Sequence, residues 1–322
     1  MIENQMDKPL YKGNAFQVLE NEFPENYFHA VVTDPPYGVV EFETANVEKM
    51  RDGKGGIWRI PPELDGSKRK PLPRFTVLTE DDKDKLRNFF KTFGESVERV
   101  LRPGGHVFVA CTQLLMHEVS QKLDKAGLER RDVLVRQTKT LRGGDRPKGA
   151  HDHPEYHNVS SMPRVYWEPW LLYRKPFDNR LRDNLSEWQT GGLRRESEER
   201  PFTDLISNGK TPKSEKEIVK SANPSDEEAH PNQKPQKLMR ELCHAALPLQ
   251  EGVILDPFMG SGSTIAAANA LGYDAVGIEI DDTFYDMAKN AIPELANVST
   301  PIENRDDIKN KNSETKSLGD FA

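Results

Sequence analysis

The sequence has few cysteines and no long apolar run. Cys111 and Cys243 are the only two cysteines among 322 residues, too few for a disulfide framework or a four-cysteine zinc site. No apolar stretch approaches the roughly 18 to 20 residues that a membrane span requires, and the N-terminus lacks the apolar core of a signal peptide. We therefore expect two buried thiols and a cytoplasmic protein without a membrane partner.

The chain also lacks an overall positive charge. Its 52 acidic residues outnumber its 45 lysines and arginines, and the formal net charge is -7. This balance argues against a uniformly basic coat for nucleic acid, but it leaves room for local basic patches. A hydrophobic fraction of 35% with 30% charged residues is ordinary for a globular enzyme.

Apolar runs and amphipathic helices alternate along most of the chain. Residues 28–33 predict a buried strand that ends at Asp34. Apolar spacing predicts helices over 82–101 and 114–125, with Arg102 to Gly105 ending the first, and strands over 106–110, 132–136 and 170–173. Strands that alternate with helices predict an α/β fold with a mostly parallel, covered sheet.

Three segments depart from this alternation. Residues 41–79 are rich in glycine, proline and basic residues and predict a loop insertion. Residues 177–228 are highly charged and predict a variable inserted module, and the polar stretch 297–322 predicts a disordered tail. The chain therefore divides into a catalytic half (1–176), the module (177–228), a cofactor-binding half (229–296) and the tail.

The second half contains a strand, a glycine-bearing turn, a helix and a second strand in succession. The strand covers 253–255, the turn reads DPFMGSG over 256–262, the helix covers 263–271 and the second strand covers 275–278. Nucleoside-binding βαβ units have this order. Glu279 follows at a distance where a carboxylate can accept hydrogen bonds from both ribose hydroxyls.

The glycine turn does not suit a phosphate cofactor. Ile265 occupies the place of the third glycine of a dinucleotide fingerprint, and no lysine follows the glycines as in a P-loop. Asp256 would repel pyrophosphate but can pair with a cationic ammonium, such as that of a methionine moiety. The alternative is a plain strand-to-helix turn.

The first half contains a candidate catalytic element, Asp34-Pro35-Pro36-Tyr37. An exocyclic amine on a base is a poor nucleophile because its lone pair is delocalised into the ring, so a catalyst must supply hydrogen-bond acceptors. Asp34 offers a carboxylate and Pro35 a rigidly placed carbonyl, while Tyr37 offers a face on which a flipped base can stack. The alternative is a turn that merely ends the strand.

These motifs resemble those of the β-class amino-methylating DNA methyltransferases. Asp34 to Tyr37 is similar to their motif IV, Asp256 to Gly262 to motif I, and His230-Pro231-Asn232-Gln233-Lys234-Pro235, followed by a helix, to motif X. The order IV, variable region, X, I also matches. The resemblance implies a Rossmann-like, seven-strand class I methyltransferase fold with permuted motif order and S-adenosylmethionine as donor. It also implies double-stranded DNA as substrate and target recognition by 177–228.

The turn and the resemblance together define a candidate cofactor site. Gly13-Asn14 departs from the usual Gly-Asp of the family, so the role of Asn14 is the least defined. The candidate residues are Asn14, Asp34, Lys234, Pro235, Asp256, Phe258, Gly260, Ser261, Gly262, Thr264, Glu279 and Ile280.

Asp34 at the first position of motif IV favours N6 of adenine by family resemblance, because N4-cytosine enzymes more often have serine there. N4-cytosine methylation stays open as the alternative. An RNA base methyltransferase and a catalytically silent DNA-binding module are less favoured. The sequence leaves open the recognition site, a cognate restriction endonuclease and a homodimer.

A basic run follows in the catalytic half and favours contact with DNA phosphates over a merely solvated face. Its candidate DNA-binding residues are Arg130, Arg136, Lys139, Arg142, Arg146 and Lys148. His151, His153 and His157 come next, but no cysteine neighbours them and the proposed chemistry requires no metal. We interpret this segment as a polar loop near the substrate, without a metal.

Changing Arg142 and Arg146 to alanine is expected to weaken DNA binding and to flatten its salt dependence. Each lost phosphate contact should reduce the slope of log affinity against log salt by about 1. Fluorescence anisotropy of a labelled duplex across a salt series measures both quantities, and an unchanged slope would refute the assignment.

Overall fold

The structure, a computed structural model, describes residues 9–36, 63–64, 67–68, 80–138, 152–160, 163–207, 209–223 and 233–300. Tyr37, most of the predicted insertion 41–79, Lys139 to His151 and the tail beyond Thr300 lie outside the described residues. No helix of the described ranges is long and apolar enough to cross a membrane.

The described helices and strands follow one another in a largely alternating order. The helices are α1 (Ala15–Glu22), α2 (Glu80–Val100), α3 (Met116–Lys125), α4 (Leu181–Trp188), α5 (Lys213–Ser221), α6 (Gln236–Ala246), α7 (Ser263–Ala270) and α8 (Asp282–Ala296). The strands are β1 (Leu10–Lys12), β2 (Phe28–Thr33), β3 (Glu63–Leu64), β4 (Ser67–Lys68), β5 (Leu101–Ala110), β6 (Glu129–Gln137), β7 (Trp167–Arg174), β8 (Leu205–Ser207), β9 (Val253–Asp256) and β10 (Asp274–Glu279). Strands β3 and β4 pair with each other inside the predicted insertion.

Eight of the described strands form one sheet in the order β1-β10-β9-β2-β5-β7-β6-β8. All neighbours are parallel except β7, which runs antiparallel to both β5 and β6. The parallel strands therefore end at one edge of the sheet, which we call the carboxyl edge, and β7 begins there. The prediction of a mostly parallel α/β sheet is confirmed.

Helices cover both faces of this sheet because successive strand residues point to opposite sides. Val32 of β2 and Phe108 of β5 pack in one core with α6, α7 and α8. Val31 and Val107, one residue earlier on each strand, pack in the other core with α1 and α2. The apolar strand residues are thus buried on both sides, as their near-continuous apolar runs require.

Strand β5 differs from its predicted bounds. It begins at Leu101, directly after α2, instead of at His106. Its register with β2 shifts between Phe28 paired to Leu101 and Ala30 paired to His106, so the extra residues bulge out of the ladder. Gly104 has a φ of 82° there, and a Cβ at this position would lie 2.5 Å from Nδ2 of Asn184.

The predicted module 177–228 is not separate from the sheet in its described part. Asn184 of α4 donates a hydrogen bond to the Pro103 carbonyl at 3.0 Å, at the edge opposite the carboxyl edge. Strand β8 pairs parallel with β6 and adds an eighth strand to the seven expected. Val219 of α5 is fully buried in the core that contains α8, so this segment completes the fold.

The other predicted elements agree within a few residues. Besides α4, α5 and β8 in 177–228 and the pair β3 and β4, the elements β1, α1 and α8 were not anticipated. Strand β1 and helix α1 lie at the start of the described chain, and helix α8 lies near its end. The two ends meet because β1 pairs with β10, the strand that precedes α8. Of the predicted tail, residues 297–300 are described, and Thr300 accepts a hydrogen bond from Arg240 at 3.0 Å.

Candidate functional site

Parallel pairing of β2 and β9 brings the two predicted motifs together at the carboxyl edge. Val31 pairs with Leu255, so Thr33 at the end of β2 lies beside Asp256 at the end of β9. The Thr33 hydroxyl donates to Oδ1 of Asp256 at 2.8 Å, and Asp34 follows directly. From this point the chain continues to β5 on one side and β10 on the other, the arrangement at which open α/β sheets bind ligands.

Asp256 lies beneath the glycine turn and is only 3% exposed. Besides Thr33, the Phe258 amide donates to its Oδ1 at 3.2 Å and the Thr264 hydroxyl to its Oδ2 at 2.5 Å. Burial raises the pKa of the Asp256 carboxyl to about 6 despite these three hydrogen bonds. The carboxylate therefore organises the turn from below, and its pairing with a ligand ammonium stays a prediction.

The turn itself is tight because two glycines have left-handed backbone angles, Gly260 with φ 51° and Gly262 with φ 82°. A Cβ on Gly262 would lie 2.5 Å from Cγ1 of Ile292, so glycine is required for packing as well as for conformation. The turn ends where α7 begins at Ser263. Backbone N–H groups at such a helix start favour negatively charged ligand groups.

Glu279, Ile280 and Asn14 lie together at the end of β10. Both oxygens of Glu279 accept backbone hydrogen bonds at 2.9 Å, one from Gly260 and one from Asp281. Burial raises the pKa of Glu279, while these N–H groups oppose the shift. Ile280 is 66% exposed. Asn14 caps α1 by accepting from the Phe16 and Gln17 amides, and the neighbouring Gly13 amide bonds the Glu279 carbonyl at 2.9 Å.

Two buried polar atoms beside the turn have no hydrogen-bond partner among the described residues. They are Oγ of Ser263 and Oε1 of Gln236, while Nε2 of Gln236 donates to the Ser263 carbonyl at 2.9 Å. An unpartnered buried polar group costs roughly 1 to 3 kcal/mol. Such atoms fit a polar ligand that enters at the turn.

Asp34 is held by Lys234, which belongs to the predicted motif X. Nζ of Lys234 lies 2.8 Å from Oδ2 of Asp34 and 2.8 Å from Oε1 of Glu168. Oε2 of Glu168 in turn accepts from Arg136 at 2.7 Å. The structure thus places four charges of alternating sign in a row across the carboxyl edge.

Glu168 was missed by the sequence reasoning. It stands as a single charge within the apolar run WEPWLLY, and a lone charge in a buried strand is expected to be paired. That signal could have identified it.

The remaining predicted cofactor residues lie either around the glycine turn or in the aromatic cluster that packs against it. Pro235, Ser261 and Thr264 are buried around the turn. Phe258 packs in an aromatic cluster, with ring centroids 5.4 Å from Phe89 and 5.8 Å from Phe93, and so anchors the turn to α2. Pro35 is buried and Pro36 exposed.

Two residues of the predicted DNA-binding set, Arg130 and Arg136, lie on strand β6. Arg136 is only 6% exposed, and besides Glu168 it bonds the Gly209 carbonyl at 3.0 Å, so its guanidinium faces protein partners. Arg130 lies at the start of β6, six residues from Arg136 and therefore about 20 Å away from the carboxyl edge by strand rise. Arg130 therefore lies far from Asp34 and Arg136 is bonded to protein partners, and DNA contact by either residue stays a prediction.

The other predicted DNA contacts, Lys139, Arg142, Arg146 and Lys148, lie outside the described residues, directly after the carboxyl end of β6. His151 also lies outside them. His153 is exposed, stacks on Tyr156 at 4.9 Å between ring centroids and lies 3.0 Å from Glu155. His157 is exposed as well.

The fold and the site are typical of Rossmann-like enzymes that bind a nucleoside-containing cofactor, because an acidic strand end lies beside a glycine turn. The DNA methylase family of N6 and N4 amino-methyltransferases matches residues 28–290, which contain both motifs. The chain belongs to this family of S-adenosylmethionine-dependent DNA amino-methyltransferases.

Known proteins resemble the chain over most of its length. The Type II methyltransferase M.HinfI of Haemophilus influenzae is 31% identical over 311 residues, which cover 94% of this chain and 74% of the relative. A putative DNA modification methylase of Thermus thermophilus, solved with S-adenosyl-L-methionine, superposes with TM-score 0.50 and 19% identity over 90% of this chain and 96% of that one.

The PvuII DNA methyltransferase, which is cytosine-N4-specific, superposes with TM-score 0.56 and 14% identity over 94% of this chain and 89% of that one. At these identities the two structures establish the fold, and they confirm the predicted Rossmann-like methyltransferase class.

Asp256→Asn is expected to change how stability depends on pH. Because the folded-state pKa of about 6 exceeds the ordinary 3.8, this carboxyl contributes stability that is present below pH 4 and lost as pH rises through 6. The wild type should therefore lose about 1 kcal/mol relative to the variant between pH 5 and pH 8.

Urea unfolding of both ligand-free proteins at several pH values measures this difference. A difference that is constant with pH would show that the Asp256 pKa is ordinary in the folded protein.

Proposed function

We propose that this chain transfers a methyl group from S-adenosylmethionine to the exocyclic N6 of adenine in double-stranded DNA. The observation that carries the proposal is the Asp34 carboxylate, fixed by Lys234 at the end of β2 and directly beside the glycine turn after β9. A hydrogen-bond acceptor and the proposed donor-binding turn thus lie side by side at the carboxyl edge, where open α/β sheets bind ligands in a crevice.

The donor site is proposed to extend from the end of β10 to the start of α7. Each Glu279 oxygen has a lone pair that is not used by its backbone contact, and these would accept hydrogen bonds from the ribose hydroxyls. The exposed Ile280 would pack on the adenine ring. Ser263 and Gln236 offer unpartnered buried atoms for the methionine end. S-adenosylmethionine supplies an electrophilic methyl group when it is bound there.

Asp34 acts on the acceptor base in this proposal. The target base leaves the duplex stack and enters the crevice, where Asp34 and the Pro35 carbonyl accept its amino hydrogens. These hydrogen bonds would concentrate the lone pair on the amino nitrogen and so prepare it to accept the methyl group. Asp34 would receive the amino proton that is lost. Tyr37 is proposed to stack on the flipped base.

The preference for adenine rests on the aspartate at position 34. The resemblance associates aspartate here with N6-adenine enzymes and serine with N4-cytosine enzymes. N4-cytosine methylation is the second candidate, because both amines are conjugated to a ring and would accept the same pair of acceptors.

DNA is proposed to approach the carboxyl edge. Strands β2 and β6 both end at this edge, and in the sequence Tyr37 follows the first while Arg142 and Arg146 follow the second. The described part of 177–228 is built into the sheet and its flanks. Target recognition is therefore proposed for segments at the carboxyl edge.

Asp34→Ala is expected to abolish methyl transfer while leaving S-adenosylmethionine binding largely intact, since most of the candidate donor contacts lie on other residues. Transfer of a radiolabelled methyl group to duplex DNA, with RNA as the comparison substrate, measures the first effect, and calorimetric titration of the donor measures the second. Wild-type turnover in the variant would contradict the mechanism.

Modified-base sequencing of DNA from a methylation-deficient host that expresses the wild-type chain identifies the base. N6-methyladenine at one recurring sequence supports the proposal, and N4-methylcytosine would favour the second candidate. Glu95→Gln, an exposed change on α2, serves as the control and should methylate as the wild type does.

A further inference from the structure

We propose that Glu168, supported by Arg136, is a positioning residue that holds Lys234 against Asp34 and so fixes the orientation of the catalytic carboxylate. This inference rests on the proposed function, and it assigns a role to two residues outside the motifs that the sequence reveals. Neither residue touches the reacting groups in this account; both act through Lys234.

The sheet itself fixes the outer half of the charge row. Arg136 of β6 and Glu168 of β7 are direct cross-strand partners in the antiparallel register, and they bond at 2.7 Å between Nη1 and Oε2. Nη2 of Arg136 is also bonded to the Gly209 carbonyl. Directly opposed charges on neighbouring strands have little freedom to rearrange, so the position of Oε1 of Glu168 is well defined.

That oxygen defines the position of Lys234. A lysine has a flexible four-carbon stem and a compact ammonium with three donors, so a single partner would leave its direction loosely determined. Two carboxylates, each 2.8 Å from Nζ, constrain it together. The ammonium in turn constrains the rotation of the Asp34 carboxylate, which stands on the chain immediately after β2.

Charge balance gives a second reason for the row. Arg136 and Lys234 are 6% and 8% exposed, and burying an unpaired charge costs several kcal/mol. The sequence of signs from Arg136 through Glu168 and Lys234 to Asp34 sums to zero. Removing only the Glu168 charge would leave two buried cations, Arg136 and Lys234, with Asp34 as the one remaining carboxylate of the row.

The pH behaviour of Lys234 follows from the same contacts. Burial lowers the pKa of Lys234, but the carboxylates of Asp34 and Glu168 outweigh burial and raise it above its usual range. The titratable or charged groups around this point come from five strands: Asp34 after β2, Glu168 on β7, Arg136 on β6, Cys111 after β5 and Asp256 on β9. Without the Glu168 charge the pKa of Lys234 must fall.

Glu168→Gln is therefore expected to lower kcat by about 10- to 100-fold, because small misplacement of a catalytic group has effects of this size. KM for S-adenosylmethionine should stay within about twofold. The alkaline limb of the kcat profile should move to lower pH, since Lys234 loses its proton earlier. If Glu168 only stabilised the fold, the substitution would lower the amount of folded enzyme but would not move the alkaline limb of the kcat profile.

The double variant Arg136→Met, Glu168→Gln separates positioning from folding. It removes the unpaired arginine and restores the charge balance, so it should be more stable than the single variant while kcat remains reduced. Wild-type kcat with a wild-type alkaline limb in the double variant would overturn the proposal. Glu129→Gln is the matched control, an arginine-paired glutamate at the far end of β6, and should leave kcat unchanged.

Titration of the Lys234 ammonium by nitrogen-15 NMR provides a readout that needs no turnover. A lower Lys234 pKa in Glu168→Gln than in the wild type supports the inference, and an equal pKa contradicts it. An inactive wild-type chain would contradict the proposed function alone, because the Lys234 titration still reports on the contact.

Discussion

The pairing of two parallel strands, β2 and β9, is the constraint on which the site depends. Their register sets Thr33 beside Asp256, and the hydrogen bond between them joins segments that are 223 residues apart in sequence. The catalytic carboxylate and the glycine turn then follow directly: Asp34 after one strand and the turn after the other. The helices on both faces hold this register by burying alternate residues of the same strands, Val31 in one core and Val32 in the other.

A row of buried charges forms the second layer of organisation. Asp256 supports the turn from within the protein, whereas Asp34 faces the crevice and is oriented by Lys234. Two carboxylates at the same edge thus have separate roles because their partners differ: hydroxyl and amide donors for Asp256, an ammonium for Asp34. The antiparallel strand β7 contributes Glu168 to this row because it begins where the parallel strands end.

The elements and site residues that depend on neighbouring residues could be predicted from the sequence. Those that depend on tertiary contacts could not. Apolar runs located β2, β9 and β10, and the motifs located Asp34, Lys234 and Glu279, because each signal lies within a few neighbouring residues. Strand β5 extended beyond its predicted start because α2 leads into it without a loop. Arg130 and Arg136 looked alike in a basic run. In the structure Arg130 lies at the far end of β6, whereas Arg136 is buried and bonded to Glu168. Segment 177–228 was predicted to be an inserted module because it shows little apolar periodicity. The few apolar residues that pack it against β6 and α8 are too scattered to form a pattern.

A crystal structure of the chain with S-adenosylmethionine bound would show whether the donor lies at the joined ends of β2 and β9. We expect the ribose hydroxyls at Glu279, the methionine end at the turn between Gly260 and Thr264, and the methyl group directed at the space in front of Asp34, with the Lys234 contact retained. A donor bound away from this turn, or bound with its methyl group directed away from Asp34, would contradict this expectation.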